Sequence, residues 1–491
     1  KKLVVCIKTF GCQMNEYDSQ VATGLLEAAG FEIVKELPLT QPSSQRGEGK
    51  GEGGADVILM NTCSVREHAE DKVYSRLGAL GKVKKTNPEL IVGLMGCMVE
   101  EHREKLFKRF PQLDLMVGTR NIKELPALIE EIQKNRRQVA KIKQDGISIE
   151  YTDLIKREGG YHAWLPIMTG CDKVCTYCIV PITRGSEVSM PAREVYREAS
   201  RLVSEGVQWI TLLGQNVNSY KGDLCHSEPF VCHPERSEGS EAQGKLREES
   251  RKQILRPEGF RMTESSSTFP ELLKMLCQIE GLKRISFTTS HPQDATEELF
   301  RVIAQNPKIS RRFHLPLQSG SNSILKRMKR LHTYQEYKVK IDLMHKIIPD
   351  ISVTTDIITG FSGETEEDHQ ATMRALSEIH YDSAFIYKYS LRPGTPAGKL
   401  PDDVVREVKE RRHEELLTLH RKIARAKSEQ WIGKTVNVFC EEKSSKTPGH
   451  LIGRTDQDKR VVFVAGENLV NTFVRVTLKE LHHETLFGVL A

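Results

Sequence analysis

Through the first 125 residues, short apolar runs alternate with longer stretches whose apolar positions recur every three or four residues. The runs "LVVCI", "DVILM" and "LIVGLM" read as strands. Each leads through a polar turn into a helical pattern: "EYDSQVATGLLEAAG", "REHAEDKVYSRLGAL" and "EHREKLFKRF". Strand, turn and helix repeated three times predict a parallel sheet with covering helices over 1–125. Across 157–425 six further strands are expected: "HAWLPIM", "VQWITLL", "RISFTT", "RRFHLPL", "ISVTTDIIT" and "SAFIYKY". Most are separated by helical patterns, so a (β/α)6-type partial barrel is expected. From 428 to 491 the runs shorten ("TVNVFCEE", "HLIGRT", "RVVFVAG", "TFVRVTLKEL", "TLFGVLA") and predict a small β-barrel. The expected fold class is therefore α/β: an N-terminal parallel α/β domain, a central partial barrel and a C-terminal β-barrel. Two stretches, 41–54 and 224–268, lack both periods and are expected to be flexible insertions.

At 491 residues the chain exceeds one ordinary core. Its 72 Lys and Arg against 66 Asp and Glu give a net charge of +6, which permits an RNA partner without requiring one. No apolar run reaches the length of a membrane span. "KKLVVCI" is too short for a signal peptide. A cytoplasmic location is expected, with reduced thiols. In that setting eleven cysteines point to metal or redox chemistry rather than disulfides.

Cys12, Cys63 and Cys97 each fall just past a predicted strand, so a parallel sheet would bring them to one carboxyl edge, where ligands collect. The alternative is three buried cysteines acting as small apolar residues. A second set, Cys171, Cys175 and Cys178, lies in "TGCDKVCTYCIVPITRG" just past the first barrel strand, at the expected mouth. Three thiolates can hold three irons of a cubane cluster and leave the fourth open. A zinc knuckle completed by a distant residue is the competing reading. Cys225, His226, Cys232 and His233 offer a further zinc set, in a segment with few apolar residues to frame it. Cys6, Cys277 and Cys440 are expected to be packed.

The C-x3-C-x2-C spacing is similar to the signature of radical S-adenosylmethionine enzymes. Together with "TFGCQMNEYDS", "NTCSVREHAEDKV" and "GCMVE" it resembles the methylthiotransferase family, and within it the MiaB-type tRNA branch. "LLGQNVNSY", "SFTTSHPQDAT", "HLPLQSGSNSILKRMKRLHT", "TDIITGFSGETEEDH" and "YSLRPGTPA" extend the likeness over nearly all the chain except the two insertions.

The resemblance implies two 4Fe–4S clusters. Cys171, Cys175 and Cys178 would bind the one that chelates S-adenosylmethionine, and Cys12, Cys63 and Cys97 an auxiliary one that carries sulfur. The substrate would be tRNA bearing N6-isopentenyladenosine next to the anticodon. The product would be its 2-methylthio derivative, with S-adenosylmethionine as both methyl donor and radical source. The last segment would be an RNA-holding TRAM domain. An electron donor such as a flavodoxin or ferredoxin and a monomeric state are also expected.

Gln215, Asn216, Ser290, Gln318, Ser319 and Asp356 are candidates for holding S-adenosylmethionine, or else turn residues capping helices. Arg411, Arg412, Arg421 and Lys434 are candidates for phosphate contacts, or else members of a solvated face. No catalytic side chain is assigned. Two other readings compete: the same chemistry on a ribosomal-protein aspartate or another modified tRNA adenosine, and a non-catalytic, metal-stabilised RNA-binding protein.

Overall fold

The computed structural model describes residues 2–34, 54–64, 67–142, 149, 154–157, 160–222 and 267–491. The expected insertions lie outside these residues except Gly54, Ser267 and Thr268, and so do Cys225, His226, Cys232 and His233.

The first sheet has six parallel strands: β1 (Val4–Phe10), β2 (Glu32–Val34), β3 (Val57–Thr62), β4 (Ile91–Gly96), β5 (Leu115–Val117) and β6 (Val139–Lys141), in the order β2-β1-β3-β4-β5-β6. The three strands expected from sequence are its centre. Every residue of β3 and β4 is buried, as expected for strands covered on both faces. Separate apolar clusters fill the two faces, one under the helix Gln13–Ala28 and one under the helix Glu67–Thr86.

The central region opens with β7 (His162–Pro166), followed by a two-stranded ribbon of β8 (Met168–Thr169) and β9 (Val188–Ser189). Next come β10 (Trp209–Leu213), a second ribbon of β11 (Lys221–Gly222) and β12 (Ser267–Thr268), then β13 (Arg284–Phe287), β14 (Arg312–His314), β15 (Ser352–Thr359) and β16 (Ser383–Lys388). All six strands expected for the partial barrel are present. They pair in parallel as β7-β10-β13 and β14-β15-β16, with Ile285 bridged to Ile309 between the two halves. Ser267 and Thr268, expected to be disordered, instead pair with Gly222 and Lys221. Thr268 then opens the helix Phe269–Cys277 through a capping box with Glu271.

The last five strands, β17 (Thr435–Lys443), β18 (His450–Thr455), β19 (Arg460–Val464), β20 (Phe473–His482) and β21 (Thr485–Leu490), close into a barrel in the order β17-β18-β19-β21-β20. It docks on the amino ends of the central strands. Arg284, at the start of β13, is 3% exposed and donates to Asp456 at 2.7 Å. Arg312 pairs with Asp458 at 2.9 Å, and Lys459 with Asp382 at 3.0 Å. The β-barrel is thus anchored at the end of the central barrel opposite its mouth.

Cys6, Cys277 and Cys440 are packed in apolar clusters, as expected. Among the described residues no helix is long and apolar enough to cross a membrane.

Candidate active site: two cysteine triads at strand ends

In register, Phe10 lies opposite Thr62, and Thr62 opposite Gly96. Cys12, Cys63 and Cys97 follow these positions by one or two residues on three adjacent strands, which run about 4.8 Å apart. The sheet therefore gathers them on one edge. Cys12 caps the helix Gln13–Ala28, and Cys97 begins the helix Cys97–His102.

The turn chemistry is local and specific. The Cys12 backbone N–H donates to Asn15 Oδ1 at 3.2 Å, and Asn15 Nδ2 reaches across to Asn61 Oδ1 at 2.9 Å. Asn61 Nδ2 returns bonds to the Asn15 carbonyl at 2.8 Å and to Ser19 Oγ at 2.9 Å. Gly96 has φ +96°, and a Cβ there would meet Asn61 Oδ1 at 2.4 Å. The residues between the cysteines are thus what hold the three turns together.

Cys63 and Cys97 are buried, and Cys12 partly so. A hydrogen bond from Cys63 holds the Cys12 thiol down to about 6 against the cost of burial, with Arg184 assisting. Burial pushes the Cys97 thiol up, and Arg184 offsets part of that. Arg184 comes from the central domain, is 3% exposed, and donates to Asp18 Oδ2 at 2.7 Å.

The second triad occupies the loop beyond β8, at the carboxyl end of the central strands. Gly170 (φ +76°) makes its entry: a Cβ there would lie 1.9 Å from the Ser186 carbonyl oxygen. The Cys171 N–H donates to the Gly185 carbonyl at 3.1 Å, and the Cys178 N–H to the Cys175 carbonyl at 3.1 Å. Thr176 pins the loop to the segment after β14, donating to the Met328 carbonyl from its N–H and to the Arg327 carbonyl from Oγ1, both at 3.0 Å. Buried Arg330 donates from Nη1 to Cys175 Sγ at 3.4 Å and from Nη2 to the Pro316 carbonyl at 2.9 Å. Burial pushes Cys171 up to about 11 and Cys178 up to about 12.

Around the same mouth several buried polar atoms have no hydrogen-bond partner: Gln215 Oε1, Asn216 Oδ1, Asn218 Oδ1 and Nδ2, Ser290 Oγ and Gln318 Oε1. Unpaired buried groups are costly, so this concentration marks a place built for a polar ligand. Asn216 is also held by Asp294, at 2.7 Å. Ser319 instead lies beside Thr372 Oγ1 at 3.3 Å, and Asp356 lies inside β15, 3.3 Å from His314 Nε2.

The donor sets suit an iron–sulfur cluster: each triad offers three thiols, the ligand type that such clusters take.

Arg184, Arg330, Asn15 and Asn61 were not singled out by the sequence. The first lies inside the quoted cysteine motif, and Asn15 and Asn61 lie within three residues of Cys12 and Cys63. One sequence expectation is corrected: Arg412 is buried and bonded to Glu364 at 2.9 Å, so it is unavailable to a phosphate. Arg411 is engaged by Glu366 at 2.7 Å, and Arg421 by Glu414 at 3.3 Å. Lys434 lies over the Trp431 ring at 5.2 Å.

A six-stranded partial barrel with C-x3-C-x2-C at its mouth defines the class as radical S-adenosylmethionine enzymes. Residues 165–376 match the Radical SAM superfamily, 429–491 the TRAM domain, and 4–118 a family described as Uncharacterized protein family UPF0004. A radical S-adenosylmethionine methyltransferase, TsrM, from Kitasatospora setae shares the fold at a TM-score of 0.50 and 15% identity, over 81% of this chain and 75% of that one. The tRNA-2-methylthio-N(6)-dimethylallyladenosine synthase of Dictyoglomus thermophilum is 40% identical over 98% of this chain and 97% of its own. That of Carboxydothermus hydrogenoformans is 39% identical over 99% and 98%. The chain belongs to this family of tRNA methylthiotransferases.

Proposed function

We propose that the protein places a methylthio group on C2 of N6-isopentenyladenosine beside the anticodon of tRNA. In this reading Cys171, Cys175 and Cys178 hold one 4Fe–4S cluster and Cys12, Cys63 and Cys97 a second, each with one iron free of protein ligands. When bound, the clusters and S-adenosylmethionine supply the radical that breaks an unactivated C–H bond and the sulfur that replaces it. The observation that carries the reading is the paired arrangement of two three-thiol edges, each at the carboxyl ends of parallel strands.

The chain's own residues bind, orient and enclose. The unpaired atoms Gln215 Oε1, Asn216 Oδ1, Ser290 Oγ and Gln318 Oε1 offer hydrogen bonds to a polar cofactor. Arg330 fixes Cys175, and Thr176 ties the cysteine loop to the far side of the mouth. The N-terminal sheet closes over the central domain through Arg184–Asp18 at 2.7 Å and Arg392–Glu70 at 3.2 Å, which restricts water. The domain ranges 1–125, 157–425 and 428–491 serve these three roles: sulfur delivery, radical generation and RNA holding. The chain works as a monomer in the cytoplasm and takes electrons from a flavodoxin- or ferredoxin-like donor.

The test is anaerobic reconstitution followed by iron and sulfide assay and reaction with isopentenylated tRNA, read by nucleoside mass spectrometry. About eight irons per chain and a 2-methylthio product are expected. Cys171→Ala should abolish cleavage of S-adenosylmethionine. Cys63→Ala should spare cleavage and abolish sulfur insertion. Full insertion by Cys63→Ala would remove the N-terminal triad from the reaction.

A further inference from the structure

Arg184 stands six residues after Cys178, beyond the short helix Val180–Thr183. At no more than about 3.3 Å per residue, that places it within about 20 Å of the second triad. Its backbone is fixed on both sides: its N–H donates to the Val180 carbonyl at 2.7 Å, and its carbonyl accepts from Arg120 Nη2 at 2.6 Å. The side chain crosses into the N-terminal domain, where Asp18 takes Nη2. Nη1 is buried and has no partner with full hydrogen-bond geometry. The Cys97 thiol lies within hydrogen-bond reach of the Arg184 side chain, and Cys12 is close enough to feel its charge. A buried guanidinium N–H that falls short of full hydrogen-bond geometry, beside two cage cysteines, is an unusual expense unless a stronger acceptor than a thiol sits there.

We propose that Arg184 is a positioning residue for the N-terminal cage, donating from Nη1 to a sulfur of the cluster held by Cys12, Cys63 and Cys97, with Asp18 setting the strength of that interaction. The inference rests on the two-triad reading above. Hydrogen bonds to cluster sulfurs and the local net charge are levers on reduction potential. A cation with a donor N–H stabilises the more negative, reduced cluster. The carboxylate of Asp18 does the opposite, by adding negative charge and by competing for the guanidinium. One residue of the radical loop thereby adjusts the electron affinity of the cluster in the neighbouring domain.

The test isolates the auxiliary cluster in the full chain with Cys171→Ala, Cys175→Ala and Cys178→Ala. Iron, sulfide and EPR-monitored redox titration are then compared with and without Arg184→Gln or Asp18→Asn. About four irons per chain are expected throughout. Arg184→Gln should move the midpoint to more negative potential and Asp18→Asn to more positive potential. If Arg184→Gln sheds iron, Arg184→Lys, which keeps the charge, replaces it and should shift the potential less than Asp18→Asn. Unchanged potentials with iron retained, or shifts of the same sign in both variants, would overturn the proposal while leaving the cage assignment intact. A triple-alanine background without iron would overturn the cage assignment, and the role of Arg184 with it.

Discussion

Asn15 and Asn61 exchange bonds across neighbouring strand ends, Asn15 Nδ2 to Asn61 Oδ1 at 2.9 Å and Asn61 Nδ2 to the Asn15 carbonyl at 2.8 Å, with neither side chain exposed. This pair sets the spacing of the Cys12 and Cys63 turns. Asn61→Ala removes both bonds and the one to Ser19, leaving the buried Asn15 Nδ2 with only its longer bond to the Thr62 carbonyl, at 3.2 Å. The expected loss is about 2–3 kcal/mol, read as a lower denaturation midpoint of the reconstituted protein. Iron should fall selectively from the N-terminal triad, which a Cys171→Ala background would reveal. Full iron in that double variant would mean that the turns hold their places without the pair.

Gly170 tests the entry to the radical loop. Its φ of +76° alone costs a non-glycine residue about 1–2 kcal/mol. A Cβ would also lie 1.9 Å from the backbone oxygen of Ser186, which cannot swing aside as a side chain can. Gly170→Ala should therefore displace Cys171, whose N–H is held by Gly185. Iron per chain should drop by about half, with S-adenosylmethionine cleavage lost. Gly30→Ala is the control: its φ is +92°, but no atom lies within 4 Å of the added Cβ, so iron should be retained.

The pattern of apolar runs carried the fold far, because strand and helix periods are local properties. Fourteen of the strands, β1, β3, β4, β7, β10 and β13–β21, coincide with runs that stand out in the sequence. The three-residue β2, β5 and β6 do not: they lie away from the sheet centre, and too few residues repeat to show a period. The cysteine positions were legible for the same reason, since a cysteine following a strand must lie on the strand's carboxyl edge. Arg184 and Arg330 were not. A lone arginine has no period, and its partners Asp18 and Cys175 are 166 and 155 residues away in sequence. Arg412 read as part of a basic surface because Glu364, which buries it, comes from another segment. Where the last β-barrel docks was also invisible, since Arg284 and Asp456 are 172 residues apart.

The docking of that barrel gives an asymmetric prediction. Arg284 is almost fully buried beneath the rings of Trp209 and Phe473, at 5.0 and 5.1 Å, whereas Asp456 is partly open to water. Asp456→Ala leaves a buried cation without its carboxylate and should cost about 3 kcal/mol. Arg284→Met keeps much of the packing, leaves a carboxylate that water can reach, and should cost less. Urea denaturation combined with limited proteolysis near Gln430–Lys434 would report both. A larger loss for Arg284→Met would mean that the ring contacts, not the ion pair, hold the barrel.

A pH dependence follows from His420 on the long helix Arg406–Glu429. Its Nε2 accepts the Ala384 N–H at 2.9 Å, which only an unprotonated nitrogen can do, and the side chain is buried. Burial holds its pKa down to about 4, with nearby Asp382 pulling weakly the other way. The unfolded histidine titrates near 6.5, so between these values the unfolded chain binds the extra proton. The stability that His420 contributes is therefore complete above about pH 6.5 and drains away as pH falls toward 4. At pH 5 the loss is about 2 kcal/mol, from 1.36 kcal/mol per pH unit over about 1.5 units. His420→Gln cannot titrate, so its denaturation midpoint should fall less between pH 7 and pH 5 than that of the parent protein. Equal falls in the two proteins would show that His420 is not the group whose protonation loosens the helix from β16.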